Sequence, residues 1–599
     1  MSYTAPIKDM LFVLQELAGL KQVQQLPGCE EATDETVQAV LEENARFMSE
    51  VVAPLNTAGD TQPSTWSNGN VTTTPGFRAA FRSFVEAGWQ GIQHPAEFGG
   101  QGLPKLVGAP CMEMMQAANL SFALCPLLTD GAIEALLTAG TVEQQELYVP
   151  RLIDGRWTGT MNLTESQAGS DLAQVRTRAV PQPDGSYRIS GQKIFITYGD
   201  HDLAENIIHL VLARTPDAPE GVKGISLFIV PKVMISADGA LGKRNDVYCA
   251  SIEHKLGIKA SPTAVLLFGE DNGEVGQGAI GYLIGEENRG LEYMFVMMNA
   301  ARFQVGMQGI AVSDRAYQKA AAYAKDRVQS RAIEGSSGPV AIINHPDVRR
   351  MLMFMRSSTE AARAIAYVAA GHHDVAHLHP DAAVRKEAQA AYEYLVPIVK
   401  GWSTENSIDV ASIGVQVHGG MGFIEETGAA QFYRDARILT IYEGTTAIQA
   451  NDLVGRETSR DGGATARRFI AQMRATAAEL AGSGEDCAPI GARLAVAVDA
   501  YEAAVDFVVK EFKSDIRSAF AGSVPYLKLA GVVHGGWQLG RSALAARRMI
   551  GEGRDVAFAQ AKIATARFFA DHMLVTAPGL ADSIAAGSVG TLALAIEQF

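Results

Sequence analysis

Between about Met161 and Ile284 the chain abandons helical periodicity. Short β-prone runs, among them Lys193 to Thr197, Ile207 to Ala213, Ile225 to Pro231 and Ala264 to Phe268, follow one another across turn residues with no helical repeat between them. Parallel pairing needs a connection of about a dozen residues or more, usually a helix, so strands that follow strands imply an antiparallel sheet or barrel.

The flanks read differently. From about Glu35 to Leu152 apolar residues recur at helical spacing, as in Val37, Val40, Leu41 and then Phe77, Ala80, Phe81, Phe84, with a Gly-rich break at Phe98 to Leu103. A Met- and Ala-rich helical pattern returns from Gly290 to Arg327, and further helices run to about Gly455, for which a bundle is the natural packing. The polar stretch Glu457-Thr-Ser-Arg-Asp-Gly-Gly463 reads as a linker into a last helical block ending near Leu592. The expected fold is mainly α with a central antiparallel β domain. Its expected parts are an extension over 1–34, a helical domain over 35–158, the β domain over 159–284, a bundle over 285–456 and an added helical domain over 464–599.

Charge and cysteine usage narrow the function. Acidic residues outnumber basic ones by 66 to 51, a net charge of -15 that repels phosphate backbones, so no nucleic-acid partner is expected. The five cysteines are scattered without Cys-x-x-Cys spacing, which suggests neither a disulfide framework nor a thiolate metal site and fits a reducing compartment. The opening Met-Ser-Tyr-Thr-Ala-Pro and the interrupted apolar stretch Met10 to Leu20 do not read as a signal peptide. No window holds the ~18 uninterrupted apolar residues of a membrane span. The expectation is a soluble cytoplasmic protein.

Two motifs are decoys. Gly276-Gln-Gly278-Ala-Ile-Gly281 has the spacing of a dinucleotide fingerprint, but a β run follows where a helix N-terminus must receive the pyrophosphate, so it reads as a β-turn. His372-His-Asp-Val-Ala-His377-Leu-His379-Pro resembles a metal cluster but reads as a polar loop between two bundle helices, and no metal site is expected.

Three segments have the residue types of a redox site. Met161-Asn-Leu-Thr164-Glu165-Ser-Gln-Ala-Gly169-Ser170-Asp171 offers small residues, hydroxyls and a Gly, which let backbone amides approach a flat or anionic ligand; read alone, it is a polar turn capping a strand. In Lys193-Ile-Phe195-Ile-Thr197 the two-residue period puts Phe195 and Thr197 on one strand face, which core packing alone also explains. Glu443 follows Ile-Leu-Thr-Ile-Tyr and precedes a Gly-Thr helix start. Desolvation on such a corner raises a carboxyl's proton affinity, as suits a general base, whereas the adjacent helix N-terminus lowers it; read alone, Glu443 is a first-turn helix carboxylate.

In this order, and over about residues 40 to 455, the segments resemble the acyl-CoA dehydrogenase family of flavoproteins. The resemblance rests on Pro95-Ala-Glu-Phe-Gly-Gly-Gln-Gly-Leu, Thr164-Glu-x-x-Ala-Gly-Ser-Asp, Lys255-Leu-Gly-Ile-Lys-Ala-Ser-Pro-Thr263, Gly285-Glu-Glu-Asn-Arg-Gly290 and Arg434-Asp-Ala-Arg-Ile with Tyr-Glu-Gly-Thr after it. Length and the added C-terminal block are similar to the subgroup of about 600 residues that contains 3-methylmercaptopropionyl-CoA dehydrogenases. The resemblance implies FAD as cofactor and Glu443 as the base that takes the α-proton of an acyl-CoA thioester while hydride leaves the β-carbon for flavin N5. It implies flavin contacts at Met161, Leu163, Thr164, Gly169, Ser170, Phe195 and Thr197, and contacts to a neighbouring subunit's cofactor from Arg327, Gln416 and Gly420. Thr445 and Gln449 match cofactor contacts just after the base. Ser170, Asn299, Arg302 and Gly444 match substrate contacts, and the enolate-like charge is held by the base's own backbone N–H and a ribityl hydroxyl. Some relatives carry the base on an earlier helix, but that position here is Ala301.

The pattern is departed from at Ser166, where the family has proline, and at Ser330 and Arg331 after Arg327-Val-Gln329. The implied partners are an electron-transferring flavoprotein and a second copy of the chain in a homo-oligomer, a dimer given the extra domain. An acyl-CoA oxidase using O2 and a non-catalytic CoA-binding scaffold are the rival readings.

Overall fold

The computed structural model describes residues 3–599, so the first two residues of the expected extension lie outside the described residues. The helices of the N-terminal half are α1 Ile7–Glu16, α2 Leu20–Val23, α3 Asp34–Phe47, α4 Leu55–Thr61, α5 Phe77–Glu86, α6 Lys105–Ala118, α7 Leu120–Ala139 and α8 Val142–Ile153. Periodicity and capping account for them: α5 buries Phe77, Ala80, Phe81 and Phe84 on one side, and Thr141 with Gln144 forms a capping box at the start of α8. α7 is long and apolar enough to cross a membrane by length and composition, but its most apolar window is 89% buried inside the protein.

The strands are β1 Thr65–Ser67, β2 Asn70–Thr72, β3 Trp157–Asn162, β4 Arg178–Pro181, β5 Tyr187–Thr197, β6 Asn206–Ala213, β7 Ser226–Pro231, β8 Val233–Ile235, β9 Leu241–Arg244, β10 Val247–Ile252, β11 Thr263–Phe268 and β12 Ala279–Ile284. The main sheet runs β10-β11-β5-β12-β7-β6-β3, with β4 beside β5. Its pairs are antiparallel except for β3 with β6, which lie parallel from Trp157 opposite Asn206 to Asn162 opposite Val211. The excursion through β4 and β5 is the long connection that parallel pairing needs. The β unit thus begins at Trp157, two residues before the expected boundary. Gly276 and Gly278 are the turn entering β12, which contains Gly281.

The remaining helices are α9 Gly290–Asp326, α10 Pro346–Leu378, α11 Ala382–His418, α12 Ala429–Ala436, α13 Thr446–Asp452, α14 Ala464–Gly482, α15 Ala488–Ser514, α16 Ile516–Ala521, α17 Ser523–Gly551, α18 Val556–His572 and α19 Ala577–Thr591. α9, α10 and α11 form the bundle, and α17 lays the added block across α10 and α11. That crossing is close: a Cβ on Gly531 would sit 2.2 Å from the Trp402 ring, so only glycine fits.

Two expectations fail here. The stretch read as a linker is helical through Ser459, with Thr458 and Ser459 buried and the Thr458 hydroxyl 3.1 Å from Tyr526 Oη. Hydroxyl and Gly content mimicked a loop, while packing against α17 kept it wound. The histidine segment is not a loop either: His372, His373 and His377 lie in the last turns of α10, where Asp374 accepts the Lys105 and Leu106 amides at 2.9 and 2.8 Å and caps α6.

Candidate functional site

Glu443 lies in a short loop between a 3-10 turn, Arg437–Thr440, and α13. Its backbone is left-handed, φ 52°, and Gly444 follows at φ 85°. A non-glycine residue held there costs about 1–3 kcal/mol, and such strain persists only where neighbours enforce it. Two side chains do so. Lys400 Nζ, from the middle of α11, donates to Gly444 O at 2.5 Å. Gln449 Nε2, from α13, reaches Glu443 O at 3.3 Å and Gly444 O at 3.5 Å. Thr445 caps α13 by accepting from Ile448 N at 3.3 Å, which confirms the helix start read after Gly444. The preceding Tyr442 hydroxyl donates to Gln308 on α9.

Desolvation dominates the electrostatics of the loop. Burial pushes the Glu443 carboxyl up to about 7, with the Lys400 and Arg302 cations pulling the other way. Burial likewise brings the Lys400 amine down to about 7 against the attraction of Glu443. Arg302 is buried on α9, its Nη1 2.9 Å from Asp452 Oδ2, while its Nε has no partner. Asn299 lies one turn earlier on α9 and is half-buried, and Ala301 is buried, so α9 offers no alternative carboxylate at that position.

A second cluster forms where β3 and β5 end. Lys193 Nζ donates to Leu163 O at 3.0 Å and Ile194 N to Thr164 O at 2.9 Å, which ties the loop after Met161 to β5. Glu165 underpins it, accepting from Lys193 Nζ at 2.9 Å, Thr177 Oγ1 at 2.6 Å and Arg176 N at 2.8 Å, and these bonds pull its carboxyl down to about 2. Burial leaves the Lys193 amine at about 8, so the pair stays ionised at neutral pH. β5 bulges opposite Val265, between the Ile196–Ala264 and Lys193–Leu266 pairs. Within the bulge Phe195 has φ 60° and its ring is 59% exposed. Gly169 and Ser170 are exposed, Thr164 and Thr197 half-buried, and a Cβ on Gly169 would meet nothing within 4 Å. An exposed aromatic ring on strained backbone, beside hydroxyls and an open glycine edge, suits the flat ring of a redox cofactor.

The segment Lys255–Thr263 couples the two clusters. Thr263 pairs with Thr197, and Pro262 O accepts from Tyr198 N at 2.8 Å. Ile258 N donates to Asp435 Oδ1 at 2.6 Å, and Gly257 packs so tightly that a Cβ there would lie 2.5 Å from the Arg434 carbonyl. The end of β5 is thereby locked onto α12, the helix that leads into Glu443.

Arg327, Gln416 and Gly420 sit elsewhere. Tyr323 stacks on His418, ring centroids 4.4 Å apart, bringing the C-terminal ends of α9 and α11 together. Arg327, Gln416 and Gly420 are exposed at that end beside Phe423, which is 86% exposed. No hydrogen bond among the described residues links this end to Thr164 or Phe195. The sequence-chosen residues thus fall into the Glu443 loop, a strand-end cluster and a remote exposed end.

Lys400 was missed, although a lysine inside Leu395-Val-Pro-Ile-Val-Lys-Gly-Trp402 breaks an apolar run and signals a buried charge. Gln449 also does more than expected, since its amide group holds the Glu443 loop while its Oε1 is buried without a partner. Two cavities, of about 180 and 340 Å³, do not include Glu443 in their lining.

Comparison with known proteins places these features. The N-terminal, middle and C-terminal domain models of acyl-CoA dehydrogenases match residues 34–156, 160–270 and 288–457, and an acetyl-CoA dehydrogenase C-terminal-like model matches 469–595. The 3-methylmercaptopropionyl-CoA dehydrogenase of Ruegeria pomeroyi is 55% identical over 96% of each chain. The broad-specificity linear acyl-CoA dehydrogenase FadE5 of Mycobacterium tuberculosis is 34% identical over 96% of this chain and 95% of its own. Among solved structures, a Bacillus anthracis acyl-CoA dehydrogenase complexed with FAD superposes with a TM-score of 0.73 at 21% identity, covering 96% of this chain and 91% of its own, a likeness of fold.

Proposed function

This chain belongs to the acyl-CoA dehydrogenase family, and from that premise we propose that Glu443 is its catalytic base and a short acyl-CoA of the 3-methylmercaptopropionyl type its substrate. The reaction is the FAD-dependent α,β-dehydrogenation of an acyl-CoA thioester to its trans-2-enoyl product. FAD, when bound, supplies the hydride acceptor. The strand-end residues Met161, Leu163, Thr164, Gly169, Ser170, Phe195 and Thr197 are those that fit around its ring, with Phe195 stacking.

The observation that carries the reading is a desolvated carboxyl drawn up to about 7 on a corner enforced by Lys400 and Gln449. A thioester α-proton is weakly acidic, so a base of raised proton affinity is needed, and water must be kept from competing. Glu443 takes that proton as the Cα–H electron pair becomes the new π bond and the Cβ hydrogen departs as hydride. Lys400 and Arg302 hold the carboxylate form ready, and burial favours the neutral acid once the proton has arrived. Arg302, Asn299, Ser170 and Gly444 are the groups assigned to the thioester and its CoA arm.

Substrate length rests on α7 and α9. Met294 and Met297 are fully buried on α9, and Met297 fills the space beside Gly131 on α7, where a Cβ would lie 2.8 Å from its Cγ. Such closure between the helices favours a short acyl group, in keeping with the high identity to the Ruegeria enzyme. Arg327, Gln416 and Gly420, exposed beside Phe423, are assigned to a second subunit's cofactor in a homodimer. Electrons then pass to an electron-transferring flavoprotein, and five free, buried cysteines fit a cytoplasmic setting.

The test is anaerobic mixing with 3-methylmercaptopropionyl-CoA, followed by flavin absorbance. The wild-type protein is expected to bleach, and Glu443→Gln to retain FAD without bleaching. Bleaching by the variant would move the base elsewhere.

A further inference from the structure

The 340 Å³ cavity lies between α9, α12 and the segment 49–57, with Tyr3 at its edge. Its chemistry is one-sided. Arg315 and Lys319, one helical turn apart on α9, both line it, and among the described residues no carboxylate does. Ser49, Asn56, Thr57, Gln318 and Gln431 complete the polar lining.

The nearest acid is already engaged. Asp314 accepts from Arg363 Nη2 at 3.2 Å and from Gln318 Nε2 at 2.5 Å. Arg315 is held in place by aromatic faces rather than by an anion, with Tyr3 and Phe432 ring centroids 5.3 and 5.5 Å from its guanidinium carbon. Its Nε is buried with no hydrogen-bond partner, and the Tyr3 hydroxyl beside it is likewise unpartnered. Burial and the neighbouring Arg315 charge both push the Lys319 amine down, the sign of two cations confined without compensation. In a chain whose net charge is -15, that arrangement is a cost unless an anion relieves it.

We propose that this cavity binds a small phosphate-bearing anion, gripped between Arg315 and Lys319 and hydrogen-bonded by the Asn56 and Thr57 side chains around it. The guanidinium supplies a planar fork and the ammonium a point charge, the usual pair for a phosphate. The volume exceeds that of bare phosphate and falls among small-molecule sites. The site is separate from the base loop, because Arg302 and Arg315 stand ~20 Å apart along α9.

The experiment is calorimetric titration of the FAD-loaded protein with inorganic phosphate against chloride at matched ionic strength. Saturable phosphate binding is expected in the wild-type protein, at least tenfold weaker in Lys319→Gln and restored in Lys319→Arg, with dehydrogenase activity unchanged. No saturable heat in the wild type, or equal binding by Lys319→Gln, would overturn the proposal. If Lys319→Gln does not fold, hydrogen exchange of the wild type decides: phosphate-dependent protection of α12 and of residues 315–319 supports the site, and its absence overturns it.

Discussion

Lys400→Met separates the charge of Lys400 from its packing. Methionine preserves the apolar stem within α11, while the ammonium and its bond to Gly444 O disappear. The side chain is fully buried, so water cannot replace what is lost. Lys400 and Arg302 both favour the Glu443 carboxylate over its acid, and burial opposes them. Without Lys400, Arg302 remains, already committed to Asp452 at 2.9 Å. A unit charge at about 5 Å in an effective dielectric of about 20 is worth ~3 kcal/mol, or roughly two pH units. Because the Lys400 amine itself lies at about 7, it is charged only part of the time there, and the expected rise is roughly one unit. As the proposed base, Glu443 must be a carboxylate, so activity is expected to climb as pH rises through its pKa. The wild-type midpoint is expected near 7 and the variant's near 8. At pH 7 the active carboxylate falls from about half of the molecules to about a tenth, a ~5-fold loss of kcat. The assay is kcat and kcat/KM against pH with an artificial electron acceptor, alongside FAD content. Lys400→Arg makes the charge permanent and is expected to move the midpoint below 7. A Met variant that retains FAD with an unmoved or lowered midpoint would refute the reasoning.

Other substitutions probe the scaffold. Gly257→Ala puts a Cβ 2.5 Å from the Arg434 carbonyl, where backbone cannot yield, and is expected to cost about 1–3 kcal/mol and loosen FAD retention; an unchanged melting temperature would argue against the docking described. Glu165→Gln strands the buried Lys193 amine and should cost about 3–5 kcal/mol at pH 7 in urea unfolding. Because the folded Glu165 carboxyl is lowered to about 2, its contribution is complete above the ordinary carboxylate pKa and is lost as pH falls from about 4.5 towards 2; a gap between variant and wild type that does not narrow in acid would contradict this. Phe195→Ala should weaken FAD binding by about 3- to 10-fold, and equal affinity would leave the exposed ring without its assigned role.

Much of the fold was legible because each part announces itself through local periodicity. Phe77 to Phe84 repeat at helical spacing, and the β runs contain no helix-length repeat, so both follow from local burial rules. Topology is less local. The parallel pairing of β3 with β6 joins residues about fifty positions apart, and nothing in either run specifies its neighbour. The opposed influences on Glu443 were readable from its flanks, but their sum depends on Lys400 and Arg302, brought in from α11 and α9. The bulge that turns Phe195 outward is a one-residue irregularity that two-residue counting passes over. His372 and His373 misled because clustered imidazoles look polar, whereas burial against α6 and the added domain holds them in a helix and brings His372 down to about 4.

The added C-terminal block is part of the bundle's electrostatic design rather than an ornament. Arg363, buried in α10, binds Glu113 of α6 at 2.6 Å, Asp9 of α1 at 2.8 Å and Asp314 of α9 at 3.2 Å. Those carboxylates outnumber it, and Lys562 of α18, which is 2.6 Å from both Asp9 and Glu360, brings a second cation to them. The consequences are visible at each acid: Asp9, facing both cations, is drawn down to about 2, whereas burial pushes Asp314, which shares Arg363 with Glu113 and Asp9, up to about 6. Buried carboxylates of this kind are tolerable only while every partner is present. The N-terminal extension, the bundle and the last domain therefore supply charges to one network, and α9, which carries Arg302 towards Glu443, is anchored by it at Asp314.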